Sequence, residues 1–196
     1  MNTSSFTFYR IIFLYLFLLI IKLSKGDDKC PNIISRSQWQ AREAKSSNFI
    51  INPIAYIVIH HTVTPQCLTT ESCSSRVKNI QDYHMDELLW GDIGFSFFIG
   101  GDGNVYEGVG WSKEGAHTYK WNKKAIGIAF IGSYQTVNAS EKMIQSAVKL
   151  ISCGKHEGML RPNVKIIGAN QVTSTASPGA KLYEQIKSWP EWTADP

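Results

Sequence analysis

Two uninterrupted apolar runs, residues 55–59 and 125–131, stand out in a chain whose hydrophobic and polar positions are otherwise mixed. Short runs of this kind, rich in Ile, Val and Ala, are typical of strands that are buried on both faces of a sheet. We therefore predict two inner strands here and a last short strand over residues 164–167. The first run leads directly into His60 and His61, at the strand end where ligands gather in open α/β sheets.

Between these runs, apolar positions recur at helical spacing. Residues 74–88 predict a helix that carries His84 on its inner face, and that face comprises Val77, Ile80, His84 and Leu88. A second helix is predicted after residue 138 by the spacing i, i+3, i+4 and i+7 of Ile144, Ala147, Val148 and Ile151. Strands that alternate with helices predict an α/β domain.

The predicted ends of the later helices depend on single residues. Asn138, followed three residues later by Glu141, is the expected start of the second helix, and Gly158 is its expected end. For the last helix, Ser177 is the expected N-cap and Pro178 the first helical residue. Asn138 also begins an Asn-Ala-Ser glycosylation sequon, a use that competes with capping for the same side chain.

A hairpin is predicted where residues 95–100 and 104–107 flank the turn formed by residues 101–103. The glycine-rich segment that follows, residues 108–117, ends in His117. It lacks the order of residues that defines a phosphate-binding loop.

The first 26 residues have the composition of a signal peptide. Arg10 precedes an apolar run over residues 11–21, which is shorter than a membrane span. The small residues Ser24 and Gly26 predict cleavage after Gly26, with an uncleaved anchor as the alternative. Residues 27–196 then form a mature domain of about 170 residues, which is long enough for a sizeable core.

Removal of this segment changes the charge. The whole chain carries 20 Lys and Arg against 16 Asp and Glu, a net charge of +4. Three of the basic residues and none of the acidic ones lie in the first 26 positions, so the mature chain is close to +1. A nearly neutral domain gives little support to nucleic-acid binding or to an antimicrobial, membrane-surface protein.

Four cysteines in a secreted chain predict two disulfides, for which three pairings are possible. Cys67 and Cys73 lie close together directly after the histidine strand, whereas Cys30 and Cys153 lie far apart. The simplest pairing is therefore Cys67–Cys73 with Cys30–Cys153. No C-x-x-C pair is present, which argues against a zinc site built from these residues.

His60 and His61 are the first candidates for a functional site. Adjacent strand residues point to opposite faces, so one histidine can face a groove while the other meets a metal or a buried partner. The alternative is a histidine whose hydrogen bonds are satisfied within the core. His84, taken alone, fits that alternative better than a ligand-binding role.

Six motifs, in order, carry a resemblance to a known family. They are Ile57-Val-Ile-His-His-Thr62, Gly91-Asp-Ile-Gly-Phe-Ser-Phe97, Gly101-Asp-Gly-Asn-Val-Tyr-Glu-Gly108, Gly115-Ala-His-Thr118, Gly127-Ile-Ala-Phe-Ile-Gly132 and Ser177-Pro-Gly179. Together they resemble the peptidoglycan recognition proteins, whose fold is shared with the N-acetylmuramoyl-L-alanine amidases. The resemblance runs from Cys30 to the end and is strongest to the short secreted insect type. It implies a single domain with a central mixed, mostly parallel β-sheet flanked by helices.

This resemblance does not by itself imply an enzyme, because the family contains both zinc amidases and receptors. The amidases hold zinc with two His and one Cys and leave the fourth position to water. The matching positions here are His60, Ala169 and Ser177, while Phe95 replaces an assisting tyrosine and Thr175 matches a polar site residue. One imidazole and a serine hydroxyl do not suffice to hold catalytic zinc. We therefore expect no metal, no cofactor and no amidase activity.

The resemblance also implies a ligand groove. Neutral imidazoles can donate to, and accept from, the amides and carbonyls of a stem peptide, and apolar walls can bury its side chains. The predicted peptidoglycan-binding residues are His61, Thr62, His84, Leu89, Trp90, Phe95, Val109 and His117.

Two further positions bear on the kind of peptidoglycan. Family members that prefer diaminopimelate carry Gly-Arg-Gly where this chain has Gly-Val109-Gly, and an arginine fork suits the additional carboxylate of diaminopimelate. The second determinant, Gly-Trp or Asn-Phe in the family, is Leu89-Trp90 here and matches neither pair in full. The loop favours a lysine-type preference.

The sequence thus predicts a secreted receptor for bacterial peptidoglycan. By resemblance, its partners would be other recognition proteins and components of a serine-protease cascade upstream of Toll signalling, with no nucleic-acid or membrane partner. The alternative is a weak L,D-carboxypeptidase-like hydrolase that uses Ser177, an activity proposed for relatives of this type. A serine nucleophile needs an adjacent base that is itself oriented by a partner.

Overall fold

The computed structural model describes residues 30–196, so the predicted signal peptide and its cleavage site lie outside the described residues. The described chain forms a six-stranded sheet in the order β1-β4-β3-β5-β2-β6. The strands are β1 (Ile33–Ile34), β2 (Ile54–His61), β3 (Phe97–Ile99), β4 (Val105–Glu107), β5 (Ala125–Phe130) and β6 (Leu160–Gly168). β4 is antiparallel to β3 and every other neighbouring pair is parallel, which confirms the mixed, mostly parallel sheet.

The two apolar runs form inner strands, as predicted. β5 lies between β3 and β2, and β2 lies between β5 and β6. All six residues of β5 are buried, because helices cover both faces of the sheet. The predicted hairpin is also present, closed by a hydrogen bond from Gly103 N–H to Gly100 O (2.9 Å).

Three α-helices flank the sheet: α1 (Thr70–Asp82), α2 (Glu141–His156) and α3 (Ala180–Ile186). α1 places Val77 in a buried cluster with Phe98 and Ala129. α2 and α3 belong to a second cluster that contains Phe97 and Ile128. Since consecutive strand residues point to opposite faces, the clusters lie on opposite sides of the sheet.

The helix predicted over residues 74–88 begins earlier and ends differently. Thr69 caps α1 through a reciprocal pair of bonds, in which the Ser72 N–H donates to Thr69 Oγ1 (3.2 Å) and the Thr69 N–H to Ser72 Oγ (3.1 Å). After Asp82 the chain makes one π-helical turn, Tyr83–Glu87. The additional residue in that turn shifts the phase of the helix, which leaves Leu88 38% exposed instead of buried.

The predicted start of α2 at Asn138 is wrong. Ser140 is the N-cap, and its Oγ accepts from the Met143 N–H (3.4 Å). Asn138 is exposed and does not cap the helix, so glycosylation and capping do not compete there; glycosylation itself stays a prediction. The predicted end is confirmed, because Gly158 follows the helix with φ +69°, a conformation that glycine adopts without strain.

Cys67 and Cys73 form a buried disulfide, which fastens the segment after β2 to the first turn of α1. Cys30 and Cys153 are also disulfide-bonded. Within residues 30–196, no helix has the length and apolar character needed to cross a bilayer.

Candidate functional site

The end of β2 brings several predicted site residues together. Ile59 pairs with Gly168 of β6 and His60 with Ala129 of β5. The loop after β6, which carries Ala169 and Ser177, therefore meets the paired histidines at one edge of the sheet. His60 and His61 have different hydrogen-bond partners, as the alternation along a strand predicts.

His60 takes part in a series of hydrogen bonds between protein groups, and the direction of each bond can be assigned by starting from the Ala125 carbonyl. The Ala125 carbonyl can only accept, so His117 Nε2 carries a proton (3.3 Å), and His117 Nδ1 accepts from the Thr118 hydroxyl (3.0 Å). The Thr118 oxygen then accepts from His60 Nε2–H (3.0 Å). His60 Nδ1 is left as an acceptor toward the Ser177 hydroxyl, 3.4 Å away. We call His60, His117, Thr118 and Ser177 the His60 cluster.

Burial keeps this cluster neutral. Desolvation lowers the pKa of His60 well below its ordinary value, and the nearby His117 and His61 lower it further. Burial likewise lowers the pKa of His117 to about 4, although the hydrogen bond to Ala125 opposes the shift. Both rings are therefore uncharged at neutral pH.

Ser177 is not the helix cap predicted from the sequence. Its Oγ accepts from the His61 backbone N–H (3.1 Å), and its own N–H donates to Thr175 Oγ1 (3.2 Å). The cap position of α3 is Gly179, which has φ +92° and packs so closely that an added Cβ would lie 2.5 Å from the carbonyl carbon of Tyr134. Glycine is thus required where the helix begins, and Ser177 lies two residues earlier, beside β2.

A groove of about 370 Å³ opens next to His61. Four of the predicted binding residues line it together: His61, Thr62, His84 and Phe95. The remaining lining residues come from the segment after β2, from α1 and from the π-helical turn, and are Thr64, Arg76, Asn79, Ile80 and Tyr83. We refer to this set of nine residues as the groove.

The two histidines of the groove are held in the same way. His61 Nδ1 accepts from the Tyr134 N–H (3.1 Å) and His84 Nδ1 from the Gly94 N–H (3.0 Å). Each neutral ring therefore carries its proton on Nε2, which remains as a donor for a ligand. Burial lowers the pKa of both, that of His84 to about 4 despite the opposing charge of Asp92. The groove thus offers uncharged, oriented N–H donors.

Phe95 separates the groove from the His60 cluster. Its ring centroid lies 5.0 Å from that of His60 and 6.0 Å from that of His84. The ring also lies against Phe98 (5.4 Å), which anchors it to the sheet. Phe95 can therefore form an apolar wall for a ligand, but it brings no hydroxyl to either side.

The other predicted binding residues lie outside the groove. Trp90 contacts the His84 ring (4.6 Å) and lines a smaller depression of about 160 Å³, which Val109 also lines. His117 belongs to the His60 cluster. Leu89, which follows the π-helical turn, is 80% exposed, has φ +57° and lines neither cavity.

Five groove residues were missed by the sequence reasoning, and four of them had a signal. Arg76, Asn79, Ile80 and Tyr83 follow the helical spacing i, i+3, i+4 and i+7, so they share one face of α1 and its extension. Of these four, only Ile80 belongs to the apolar stripe from which the helix is predicted. Thr64 had no comparable signal; it is placed by its hydroxyl contact with Thr62 (2.8 Å).

The sheet, the paired histidines and the adjoining groove define a domain of the amidase type. A family model described as N-acetylmuramoyl-L-alanine amidase matches residues 51–180. Peptidoglycan-recognition protein 2 of Holotrichia diomphalia is 42% identical over 184 residues, which cover 94% of this chain and 98% of that protein. The chain belongs to the family of peptidoglycan recognition proteins.

Two solved structures extend the comparison. Bumblebee PGRP-SA superposes with a TM-score of 0.84 and 56% identity, and the match covers 85% of this chain and 100% of that one. The recognition protein LE, solved in complex with tracheal cytotoxin, a monomeric diaminopimelic acid-type peptidoglycan, gives a TM-score of 0.81 at 33% identity, over 83% of this chain and 96% of that one.

Proposed function

We propose that this chain is a secreted receptor that binds bacterial peptidoglycan in the groove and has no amidase activity. The observation that carries the proposal is the pair His61 and His84, each fixed by a backbone N–H so that Nε2–H remains for a ligand. Such donors suit the carbonyls of a stem peptide, and Phe95 and Ile80 supply apolar walls. The ligand of the related LE protein is of this chemical class.

The residues at the positions of the amidase zinc ligands do not fit the metal. His60 is the one imidazole, Ala169 has no donor atom, and Ser177 offers a hydroxyl that is already bonded to the His61 N–H. Among residues 30–196, no three His, Cys, Asp or Glu side chains are grouped so that they could hold a metal ion. Catalytic zinc needs three protein ligands, and a serine hydroxyl is a poor substitute for a thiolate. This donor set supports a receptor and not an amidase.

The proposal includes a role in signalling. The cysteine pattern resembles that of the short secreted insect members of the family, and the disulfide-bonded cysteines suit an oxidising compartment. The bound polymer would be presented to other recognition proteins and to serine-protease components upstream of Toll signalling.

A preference for lysine-type peptidoglycan is supported by the depression beside the groove. It is lined by Val109 and by two acidic residues, Asp92 and Glu114. Asp92 is paired with Arg36 (3.0 Å), whereas the Glu114 carboxylate has no hydrogen-bond or ion-pair partner within the described chain. A free carboxylate attracts the ammonium of lysine and repels the additional carboxylate of diaminopimelate.

Calorimetry with matched muropeptides tests the proposal directly. We expect the lysine-type ligand to bind about tenfold more tightly than the diaminopimelate type, since an unpaired carboxylate in a partly buried site costs about 1–3 kcal/mol. The same protein should contain no stoichiometric zinc and should release no free stem peptide from peptidoglycan. One zinc per chain together with stem-peptide release would refute the proposal of a receptor without amidase activity.

Val109→Arg tests where the selection occurs. The new guanidinium would lie beside Trp90 and Glu114 and could pair with the diaminopimelate carboxylate. We expect the lysine preference to narrow or reverse. If both affinities stay unchanged, Val109 does not select the ligand.

The second candidate, an L,D-carboxypeptidase-like hydrolase, is favoured by one observation, the 3.4 Å contact between Ser177 Oγ and His60 Nδ1. His60 is oriented by the Thr118 hydroxyl, but its lowered pKa opposes the imidazolium that a general base must form. Incubation with lysine-type muramyl tetrapeptide, followed by mass spectrometry, distinguishes the candidates. The hydrolase would release D-alanine and lose that activity in Ser177→Ala, whereas the receptor would leave the tetrapeptide intact.

A further inference from the structure

Arg76 is a charged side chain of the groove wall that makes no hydrogen bond or ion pair with residues 30–196. It extends from α1 into the groove beside Asn79 and Ile80. Its Nε is buried without a hydrogen-bond partner, and its guanidinium forms no ion pair with any residue of the described chain. Buried polar groups are almost always satisfied, so an unsatisfied donor in the wall of a groove requires an explanation.

Arg76 is surrounded in the groove by uncharged residues. The other eight lining residues carry no formal charge at neutral pH, because burial keeps His61 and His84 unprotonated. Arg76 is therefore the only formal charge among the groove-lining residues, all of which lie within residues 30–196. A lone cation in a partly desolvated groove favours an anionic ligand group far more than a solvated surface cation does.

We propose that Arg76 binds a carboxylate of the ligand. The guanidinium presents two parallel N–H donors that match a carboxylate, and the unsatisfied Nε–H is one of the donors such a fork uses. The amide of Asn79 lines the same groove and can donate a hydrogen bond to a bound carboxylate. The inference rests on the proposed binding of peptidoglycan.

Two carboxylates of a stem peptide could meet Arg76. One is the α-carboxylate of the γ-linked D-glutamate at the second position, which is present in both peptidoglycan types unless it is amidated. The other is the additional carboxylate of diaminopimelate at the third position. The acidic lining around Glu114 opposes the third-position carboxylate in the neighbouring depression, but Arg76 lies in the groove itself.

Four muramyl tripeptides with amidated C termini separate these sources. The second residue is D-glutamate or D-isoglutamine, and the third is lysine or diaminopimelate; the isoglutamine–lysine ligand carries no carboxylate. Calorimetry compares the wild type with Arg76→Gln and with Arg76→Lys, which keeps the charge but not the fork. Lys78→Gln is the matched control, because it removes a cation from the same helix outside the groove. Unfolding midpoints establish that each variant is folded.

We expect Arg76→Gln to weaken carboxylate-bearing ligands about tenfold and to leave the carboxylate-free ligand within twofold, with Arg76→Lys between the two. Lys78→Gln should leave all four affinities within twofold. If Arg76→Gln loses affinity only for ligands with D-glutamate at the second position, Arg76 binds the D-glutamate carboxylate. If it loses affinity only for ligands with diaminopimelate at the third position, Arg76 binds the diaminopimelate carboxylate. If Arg76→Gln changes the affinity for all four ligands equally, or for none of them, Arg76 does not bind a carboxylate, but the proposed function still stands. Failure of the wild type to bind any of them would overturn the proposed function as well.

Discussion

His60 and His61 are consecutive residues of β2, yet they belong to two regions that differ in whether the ring nitrogens of their histidines are all hydrogen-bonded within the protein. In the His60 cluster, each ring nitrogen of His60 and His117 has a protein partner, and the chain of bonds ends at a backbone carbonyl. In the groove, His61 and His84 each use one nitrogen to accept from a backbone N–H and keep the other as a donor. The first region is closed on itself, and the second is open to a ligand.

One strand end can thus serve both stability and binding. A buried polar group contributes little net free energy when it is paired, but costs about 1–3 kcal/mol when it is left unpaired. Changes in the His60 cluster should therefore appear in the free energy of unfolding. Changes in the groove should appear in ligand affinity.

The largest expected effect is the conversion of the closed cluster into a metal site. Ala169→His with Ser177→Cys adds an imidazole and a thiolate beside His60, the donor set that catalytic zinc requires. Ala169 is fully buried, so the metal-free double variant should be less stable than the wild type by about 1–3 kcal/mol. Zinc at a thousandfold excess over its Kd should then stabilise the variant by about 4 kcal/mol.

Elemental analysis and zinc-dependent unfolding midpoints measure this result. The controls are the two single variants, which supply at most two strong ligands and should respond weakly. Turnover by the double variant is expected to need Phe95→Tyr as well, since Phe95, whose ring lies 5.0 Å from that of His60, has no hydroxyl where the amidases carry an assisting tyrosine. A double variant that binds no more zinc than the wild type would show that these positions do not form a ligand set.

The second prediction concerns Thr118, which is 3% exposed and joins the two histidines of the closed cluster. Thr118→Val keeps the shape but leaves His60 Nε2 and His117 Nδ1 without their partner. We expect a loss of about 2–5 kcal/mol in the free energy of unfolding, from two unsatisfied groups, with ligand affinity within threefold. Urea unfolding and calorimetry measure the two quantities.

Thr64→Val is the matched control on the open side. It removes a hydroxyl that contacts the Thr62 hydroxyl and donates to the Pro65 carbonyl, at the groove surface where water can replace it. Its cost to stability should stay below about 1 kcal/mol. If the two valine variants destabilise the protein equally, the contrast between a closed and an open region is wrong.

The division between these regions was only partly predictable from the sequence. The apolar runs identify β2 and β5, and the histidine pair identifies the strand end, because both signals are local. The place of Ser177 was not predictable, since it depends on Gly179 having a positive φ against Tyr134, a contact between distant parts of the chain. The π-helical turn, which places His84 at the groove, was not predictable from the apolar spacing either.

Arg76 illustrates a different limit. Its position on a helix face shared with groove residues follows from the spacing, but the apolar positions of a helix indicate only the face that packs on the core. Which face of α1 borders a groove depends on where Phe95 and His61 lie, and that requires the assembled sheet. Sequence reasoning therefore finds site residues that carry chemical motifs more readily than those that only line a surface.

The third prediction concerns the open side. His84→Asn keeps an acceptor near the Gly94 N–H, because the amide oxygen of asparagine can take the place of Nδ1, but it removes the Nε2–H donor. We expect about a tenfold loss in affinity for a lysine-type muramyl tripeptide, or about 1.4 kcal/mol, with a smaller change in stability than Thr118→Val causes. Unchanged affinity would mean that His84 only supports the fold.

The smallest expected effect is the response of binding to pH. With its pKa near 4, His84 is protonated to only about 3% at pH 5.5, whereas a histidine of ordinary pKa 6.5 would be protonated to about 90%. Because the folded-state pKa is lowered, the neutral ring that accepts from the Gly94 N–H persists until the pH approaches 4. For the isoglutamine–lysine ligand, which has no carboxylate, affinity should change less than twofold between pH 7.5 and 5.5. A loss of affinity with a midpoint near pH 6.5 would show that a groove histidine titrates in its ordinary range, and repeating the measurement with His84→Asn would reveal whether that histidine is His84.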